Sequence, residues 1–366
     1  MLSIRTLNRV QLLAFVQDAA FEKLPFIPIS QHRALSHIAN PRVEENDVLL
    51  LTAYENEALV GYLGVLPDIM FRGDQSEKCG WLSCLWVSEE HRGKRIAQQL
   101  LEKCFDVWNR RILVTEFTGP AKALYDRSGI FRALANPQGI RLYLRADLST
   151  LLPPKKEIFQ KNKALLESLD QGINAVADLR LPNSDLSKES FTLEYPAEVD
   201  DEASDFIASK QQNELFKRGK EELNWILRNP WILSASEKDE LNCRYHFSSV
   251  DKLFQFHVVK VRGTDGELIA FLVFAQRNNS LKLPYCYHNG DLETVWKAIR
   301  HELLRLRIST LTTFQPELVQ YIHANDKLAF VHKKVIRNYI VSTRFNAFIG
   351  ETPVSIQDGD ADCSFT

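Results

Sequence analysis

The sequence lacks the segments that would direct a chain into or across a membrane. Its N-terminus, MLSIRTLNRVQLLAFVQDAAFEK, has no long apolar run followed by a small-residue cleavage site. Nowhere does an uncharged run approach the roughly 20 apolar residues that a membrane-spanning helix needs. We therefore expect a cytoplasmic protein with no membrane partner.

Cysteine is also scarce and is not arranged for metal binding. No two cysteines have the C-x-x-C spacing, and several lie in apolar stretches. This pattern favours reduced thiols in the core over disulfides or a zinc site, so we expect no metal. The six cysteines are Cys79, Cys84, Cys104, Cys243, Cys286 and Cys363.

There is no excess of charge of either sign. The 45 Lys and Arg residues and 47 Asp and Glu residues leave a formal net charge of -2. Without a global basic field or a polybasic tail, binding to nucleic acid or to anionic lipid is not expected. Any anion that the protein binds must be held by a local group of residues.

The length of 366 residues favours two domains over a single core. After residue 80, apolar strands alternate with amphipathic helices, which predicts an α/β fold with a mixed, partly parallel sheet. Two strands within 130–146 are expected to pair with each other. A Pro-Pro break and a stretch rich in Pro, Asn, Ser and Asp follow, so we predict domains at 1–147 and 190–366 and a helix-containing linker at 148–189.

Three stretches of the first part are echoed in the second, in the same order. LSHIANP (35–41) resembles NWILRNP (224–230), ENEALVGYLGVL (55–66) resembles TDGELIAFLVFA (264–275), and ILVTEFTGPAKALY (112–125) resembles ISTLTTFQPELVQY (308–321). Any one echo could arise by chance, but three in order favour a tandem repeat of one fold.

Basic residues surround a glycine in VSEEHRGKRIAQQLL (87–101), where a strand turns into a helix. The first amides of a helix have no intrahelical acceptor, and the helix dipole places positive charge there, so such a turn suits an anion. Gly93 would allow close approach, and Arg92, Lys94 and Arg95 add charge. The pattern is neither the P-loop nor the Rossmann motif. A solvated basic turn at the start of a surface helix is the alternative.

Two motifs resemble those of the GNAT superfamily of N-acetyltransferases. Residues 92–97 resemble its loop motif [QR]-x-x-G-x-[GA], with Arg95 in place of the family's first glycine, and GPAKALYDRSGIF (119–131) resembles its second motif. The resemblance implies a domain whose loop amides hold the pyrophosphate of coenzyme A. The residues implied to bind coenzyme A are Leu85, Trp86, Val87, Arg92, Gly93, Lys94, Arg95, Ile96, Ala97, Gln98 and Tyr125.

The resemblance also implies a mechanism. The fourth and fifth strands of the family splay apart, so that an amide of Leu85 or Trp86 would hold the thioester oxygen and Val87 would pair with pantetheine. Tyr125 would protonate the departing sulfur, unless it only packs on the sheet. The candidates for the base are Asp68, Glu116 and His288, and an amine of low pKa would need no dedicated base.

The second repeat lacks the basic turn, so we expect a degenerate GNAT-like domain that binds no coenzyme A. The corresponding strand end carries aromatic, amide and acidic groups, a mixture that binds sugars or nucleobases. The alternative is that these groups bind no ligand and are only half-buried strand residues and a simple helix cap. In the first repeat, Arg33, with His32 and Arg42, is a candidate for an acceptor diphosphate, although solvated surface residues would look the same. The substrate-binding candidates of the second repeat are Tyr285, Tyr287, His288, Asn289 and Asp291.

As a tandem GNAT-like chain of this length, the sequence resembles the nucleotide-sugar N-acyltransferases of bacterial surface-polysaccharide (O-antigen) biosynthesis. This implies transfer of an acetyl or 3-hydroxybutanoyl group from its coenzyme A thioester to the amine of a dTDP-3-amino-3,6-dideoxyhexose. The peptidoglycan ligases of the Fem type are also tandem but do not use coenzyme A. Acylation of another small amine or of a protein N-terminus is an alternative, as is a non-catalytic protein that binds coenzyme A or a partner. The sequence is compatible with a monomer.

Overall fold

The computed structural model describes residues 1–152, 156–180, 186, 189–235, 244–351 and 353–365. The chain forms two compact units. Unit 1 contains residues 1–136, 198–254 and 337–366, and unit 2 contains residues 137–197 and 255–336. These boundaries differ from those predicted from composition, because each unit takes in segments from both halves of the sequence.

The sheet of unit 1 has seven strands. Strands β4 and β5 are parallel, and the other neighbouring pairs are antiparallel. In sheet order the strands are β1 (Leu2–Leu7), β2 (Leu50–Glu55), β3 (Ala58–Arg72), β4 (Gln75–Val87), β5 (Ile112–Thr115), β16 (Tyr339–Ser342) and β6 (Phe131–Ala135).

Helices of unit 1 contribute to two apolar clusters. Each cluster also contains residues from the strands of the sheet. Leu12 and Ala34, from α1 and α2, belong to one cluster, and Leu100 and Tyr125, from α3 and α4, belong to the other. A parallel pair, β9 (Leu233–Ser234) and β10 (Val250–Asp251), also lies in this unit. The helices are α1 (Arg9–Gln17), α2 (Gln31–Ala39), α3 (Ile96–Val107), α4 (Gly119–Ser128), α8 (Asp201–Lys210), α9 (Lys220–Arg228) and α12 (Asn346–Ile349).

Unit 2 contains a second seven-stranded sheet with the same arrangement. Its parallel pair, β13 and β14, corresponds to β4 and β5. The strands in sheet order are β8 (Phe191–Glu194), β11 (Phe254–Gly263), β12 (Leu268–Arg277), β13 (Ser280–His288), β14 (Thr310–Thr313), β7 (Gln138–Tyr143) and β15 (Val331–Ile336). The helices are α5 (Leu148–Leu151), α6 (Glu157–Lys161), α7 (Lys163–Arg180), α10 (Leu292–Arg305) and α11 (Pro316–Asn325).

The matching strand orders confirm the predicted α/β fold class with two tandem GNAT-type sheets. One local expectation was wrong. Strands β6 and β7 do not pair, because β6 completes the sheet of unit 1 and β7 that of unit 2. Between β5 and β6 lies β16, from the end of the chain, while β7 lies between β14 and β15. Each sheet therefore receives its penultimate strand from the other half of the sequence.

Candidate functional site

A bulge interrupts β4 next to the point where it separates from β5. The pairing with β3 passes from Ser83 to Trp86 while β3 advances only from Gly64 to Tyr62, so Cys84 and Leu85 together oppose one residue. Cys84 has a left-handed backbone, with φ of 59°. A Cβ atom on Gly64 would lie 2.9 Å from the Ser83 carbonyl oxygen, so this close approach requires glycine.

The parallel pairing of β4 with β5 ends at Leu82 and Val114. Beyond this pair the register of β4 continues with β3 alone, up to Val87 opposite Gly61. Within the described residues, Leu85 therefore has no register partner on either neighbouring strand. The end of the β4–β5 pairing lies where the resemblance implies a splay, and Leu85 is one of the two residues, with Trp86, whose amide was expected to hold the thioester oxygen.

The basic loop follows directly and ends in a strained residue. A short 3-10 turn at Glu89–His91 leads to Gly93, with φ of 86°, and to Arg95, with φ of 60° and ψ of 23°. This left-handed conformation favours glycine and costs other residues about 1 kcal/mol or more. The position at which the resembled motif has a glycine is thus left-handed here, although an arginine occupies it.

Helix α3 begins immediately after this residue. The Gln99 amide donates to the Arg95 carbonyl at 3.0 Å, which makes Arg95 the first acceptor of the helix. The amides of Ile96, Ala97 and Gln98 precede that hydrogen bond, so they are the donors that a helix cannot satisfy internally. Together with the helix dipole they form a site with partial positive charge.

Glu55, at the end of β2, holds the basic loop through two contacts. Its carboxylate lies 2.7 Å from Lys94 Nζ and 3.2 Å from His91 Nε2. The hydrogen bond from Lys94 is the main cause of the lowered pKa of Glu55. The positive charge of Lys94 is therefore partly used to hold the loop in place, whereas Arg95 remains exposed.

A groove of about 840 Å³ runs along this loop. Such a volume lies within the range of small-molecule sites. Its walls combine loop and α3 residues on one side with α4 residues on the other, and three of them are arginines. The lining residues are Val87, His91, Arg92, Gly93, Arg95, Ile96, Ala97, Gln98, Leu101, Glu102, Phe105, Leu124, Arg127, Ser128 and Ile130.

Tyr125 lies in the apolar cluster formed by α3, α4 and the sheet and is only 4% exposed. Its ring packs edge-on against Phe117 and Phe131, at 5.9 and 5.4 Å. Burial raises the pKa of Tyr125, and the nearby Cys104, Asp362 and Cys84 raise it further. Tyr125 therefore keeps its proton at neutral pH, as a general acid must.

Aromatic rings surround the side chain of Trp86. His246 stacks on Trp86 at 3.7 Å, with 16° between the ring planes, and Phe26 packs edge-on at 4.5 Å. Tyr62 lies 5.7 Å away and its hydroxyl is 3.4 Å from His246 Nδ1. We call Phe26, Tyr62, Trp86, His246 and Phe247 the aromatic cluster. The indole of Trp86 packs in this cluster but is partly exposed, and the predicted contact of Trp86 with coenzyme A stays a prediction.

Arg33 is not a solvated surface residue, because its side chain is buried beside the bulge. Nη2 donates to Ser83 Oγ at 2.5 Å and Nη1 donates to Cys84 Sγ at 2.9 Å, while the guanidinium stacks 3.8 Å above the ring of Trp231. Ser83 Oγ in turn donates to Asp362 Oδ2 at 2.6 Å. Neither Ser83 nor Asp362 was predicted from the sequence, and only the closely spaced acidic residues near the C-terminus could have indicated Asp362.

Two carboxylates that were candidates for the base are held by arginines. Asp68 is buried between Arg42 and Arg218, and Trp81 Nε1 donates to it at 3.0 Å. Burial alone would raise the pKa of Asp68, but Arg218 and Arg42 outweigh this effect and hold the pKa well below its usual value. Arg42 is thus a structural partner of Asp68. The other candidate, Glu116, accepts a 2.6 Å hydrogen bond from Arg337, which is also paired with Asp358.

The candidates of the second repeat all lie in unit 2, whereas Leu85 and Tyr125 lie in unit 1. The side chains of Tyr285 and Tyr287 are buried and stacked 6.5 Å apart, which favours packing over contact with a ligand. His288 Nδ1 accepts from the Gly290 amide at 3.2 Å, and Nε2 lies 3.5 Å from Glu317. The candidates Asn289 and Asp291 are exposed, and Asp291 also caps α10, so ligand binding by His288, Asn289 and Asp291 stays a prediction.

The five cysteines in the described part of the chain are free thiols, and Cys243 lies outside it. Among the described residues no group of three or more His, Cys, Asp or Glu side chains is placed to hold a metal ion. The described helices also include none that is both long and apolar enough to span a membrane.

Comparison with known proteins agrees with this geometry. Three solved structures share the fold over 93% of this chain. They are a GCN5-related N-acetyltransferase from Anabaena variabilis (10% identity, 72% of that chain, TM-score 0.53), a probable N-acyltransferase from Enterococcus faecalis (9%, 72%, 0.50) and the Saccharomyces cerevisiae N-myristoyltransferase with bound myristoyl-CoA (11%, 82%, 0.50). No curated protein matches the sequence.

Residues 13–130 match the model of the acetyltransferase (GNAT) family. The matched range includes the β4 bulge, the basic loop and α4, and it contains every lining residue of the groove. The match confirms the predicted class of enzyme, an N-acyltransferase, at the level of this domain. Residues 13–130 are therefore an acetyltransferase (GNAT) family domain within a chain that has GNAT-type sheets in both units.

Proposed function

We propose that unit 1 binds an acyl-CoA in the groove along the basic loop and transfers its acyl group to an amine. The observation that carries this proposal is the loop geometry: α3 begins directly after the left-handed Arg95, and its first residues line a groove together with Arg92, Arg95 and Arg127. A pyrophosphate needs such donors and cations. The fold likeness to a structure with bound myristoyl-CoA is compatible with this choice of donor.

The residues of the loop fit a pyrophosphate sterically as well as electrostatically. A Cβ atom added to Gly93 would meet nothing within 4 Å, so the space in front of the turn is open. Gly93, Ile96, Ala97 and Gln98 would contribute backbone amides, while Arg92 and Arg95 are exposed and able to contact phosphate oxygens. Lys94 would act through Glu55, by holding the loop.

The splayed strands supply the second half of the donor site. In this proposal the backbone of Val87 pairs with the pantetheine amides, and the amide of Leu85 donates to the thioester oxygen. A donor aimed at the position where negative charge develops lowers the barrier to acyl transfer. Tyr125, which keeps its proton, would protonate the departing sulfur.

For the acceptor we propose a nucleotide-linked amino sugar of the dTDP-3-amino-3,6-dideoxyhexose type, with an acetyl or 3-hydroxybutanoyl group as the acyl chain. Support comes from the aromatic cluster, in which Phe26, Trp86, His246 and Phe247 are partly or fully exposed. Aromatic rings bind sugars and bases by stacking, so the cluster suits a ligand of this class.

The test is a thiol-release assay with acetyl-CoA and 3-hydroxybutanoyl-CoA. Each donor is combined with dTDP- and UDP-linked amino sugars, with simple primary amines and with a peptide that has a free N-terminus. Thiol release that depends on an amino sugar supports the full proposal. Release that depends only on another amine or on the peptide keeps the acyltransferase and overturns the sugar acceptor, and no release with any acceptor overturns the catalytic function.

A further inference from the structure

Residues 357–365, which we call the C-terminal segment, pack within unit 1. Gln357 Nε2 donates to Glu214 at 2.5 Å, Arg218 Nε donates to Asp360 at 3.0 Å, and Phe365 stacks on Trp231 at 4.3 Å, with 6° between the ring planes. Arg337 also pairs with Asp358, and Ser364 Oγ donates to the Gly359 carbonyl within the segment. Contacts along its whole length thus fix the position of this segment.

This anchoring brings one carboxylate to the bulge of β4. Asp362 Oδ2 accepts the hydrogen bond from Ser83 Oγ, two residues before Leu85. Asp362 is of intermediate exposure, whereas Asp360 beside it is fully buried. The Asp362 carboxylate is therefore held at the splay.

The partners of Asp362 distinguish it from the other carboxylates near the site. Asp68 is paired with two arginines and Glu116 with one, whereas the hydrogen bond to Asp362 Oδ2 comes from a neutral hydroxyl. Arg33, on α2, reaches Ser83 and attracts Asp362 from a distance, and Glu116, at the end of β5, repels it. Burial raises the pKa of Asp362, and Ser83 and Arg33 offset that effect only in part.

Asp362 also acts electrostatically on the proposed acid of the site. Beside burial, which is the main cause, the charge of Asp362 contributes to the raised pKa of Tyr125. Asp362 therefore lies near enough to Tyr125 to affect its protonation. Acyl transfer to an ammonium group requires both a base for the nitrogen and an acid for the departing sulfur.

We propose that Asp362 is the general base that accepts a proton from the acceptor amine, either directly or through Ser83 Oγ. This inference rests on the proposed acyl transfer and assigns its missing residue. Asp362 was not among the candidates predicted from the sequence for this role, which were Asp68, Glu116 and His288.

The proton balance is as follows. The carboxylate takes one proton from the ammonium group, and the free amine forms the N–C bond to the acyl carbon as the C–S bond breaks. A second nitrogen proton reaches the sulfur through Tyr125, which donates its own proton and regains one from nitrogen. The products are the amide, the free thiol and protonated Asp362, which returns its proton to solvent.

The deciding experiment compares Asp362→Asn with the unmodified chain. Asparagine keeps the shape and can still accept from Ser83, but it cannot take up a proton. We expect kcat to fall about 100-fold or more, the usual contribution of a general base. The affinity for coenzyme A, measured by calorimetry, should change less than about twofold, because the groove is intact. Ser364→Ala is the matched control, since it removes a hydrogen bond of the same segment and keeps the carboxylate.

A pH profile separates a base from a structural residue. In the unmodified chain kcat/KM should rise through the pKa of Asp362, because the carboxylate deprotonates the bound ammonium group, whereas in Asp362→Asn only the free amine reacts and the rise should follow the higher pKa of the amine. Equal kcat and an unchanged profile in Asp362→Asn overturn the proposal, as does an equal loss of kcat in Ser364→Ala. If the unmodified chain binds coenzyme A but acylates none of the acceptors named above, the proposed function itself fails, and the base role fails with it.

Discussion

Ser83 and Asp362 are 279 residues apart in the chain, and their side chains share a hydrogen bond of 2.6 Å. Ser83 lies at the bulge of a central strand, while Asp362 lies in the C-terminal segment. The bulge supplies the proposed donor to the thioester oxygen at Leu85, so the contact ties the end of the chain to the proposed reaction centre. Removal of the C-terminal segment should accordingly disturb the site and not merely shorten the chain.

Arg95 offers a test of backbone strain in the basic loop. Replacement of Arg95 by glycine should stabilise the protein by about 1 kcal/mol relative to Arg95→Ala, since both variants lose the side chain and only glycine accepts a positive φ without cost. Urea denaturation of both variants measures this difference. If the two variants are equally stable, Arg95 is not held in the left-handed conformation in solution.

The same pair of variants reports on the charge of Arg95. If its guanidinium contacts the pyrophosphate, both variants should bind coenzyme A several-fold more weakly at low salt, and the deficit should shrink as salt screens the interaction. An affinity equal to that of the unmodified chain at every salt concentration would show that Arg95 contributes only to the shape of the loop.

Gly93→Asp should weaken coenzyme A binding at least tenfold, because it places a carboxylate where the pyrophosphate is proposed to lie. Gly73→Asp is the matched control: Gly73 also has a positive φ, of 58°, and has nothing within 4 Å of an added Cβ, but it lies in the β3–β4 turn. Calorimetry on both variants decides the question, and a similar loss of affinity in Gly73→Asp would attribute the effect to backbone strain.

Tyr125→Phe should lower kcat about 100-fold and leave the affinity for coenzyme A within about twofold, since only the hydroxyl is lost. Tyr321 occupies the echoed position of the second repeat and packs against the core of unit 2. Its replacement by phenylalanine controls for the loss of a tyrosine hydroxyl from a helix. Unchanged turnover in Tyr125→Phe would remove Tyr125 from the mechanism.

Asp68→Asn should destabilise unit 1 by about 3 kcal/mol at neutral pH, because two buried guanidinium groups lose their shared carboxylate. The pKa of Asp68 is lower in the folded than in the unfolded chain, so its contribution is fully present above the unfolded pKa of about 4 and is lost as the pH falls further. The difference between the variant and the unmodified chain should therefore shrink below about pH 4. Denaturation curves over a range of pH measure it, and a difference that does not depend on pH would contradict the paired state of Asp68.

Local sequence patterns were sufficient to predict much of the fold. The alternation of strands and helices after residue 80, the proline at the start of α4 and the three echoes all have local causes, and the two sheets agree with them. Which sheet β6 and β7 each join could not be predicted in this way. A short apolar strand has the same pattern whichever sheet accepts it, and here the sheets take their penultimate strands from opposite halves of the chain.

The donor side of the site was also accessible from sequence, because backbone amides at a strand-to-helix turn are positioned by adjacent residues. The contacts around Ser83 could not be predicted from the sequence. Arg33, Ser83 and Asp362 come from three distant segments, and nothing in the pattern near Arg33 indicates that its guanidinium is buried and stacked on Trp231. Contacts of this kind depend on tertiary packing, which the spacing of residues does not encode.

Calorimetric titration of the full chain with coenzyme A tests the central claim most directly. Unit 1 has a groove beside a basic loop, whereas the equivalent strand end of unit 2 leads through His288, Asn289 and Gly290 to the acidic cap Asp291. We predict that one molecule of coenzyme A binds per chain and that Gly93→Asp weakens this binding at least tenfold. An absence of binding, or binding that is unaffected by Gly93→Asp, would contradict the account.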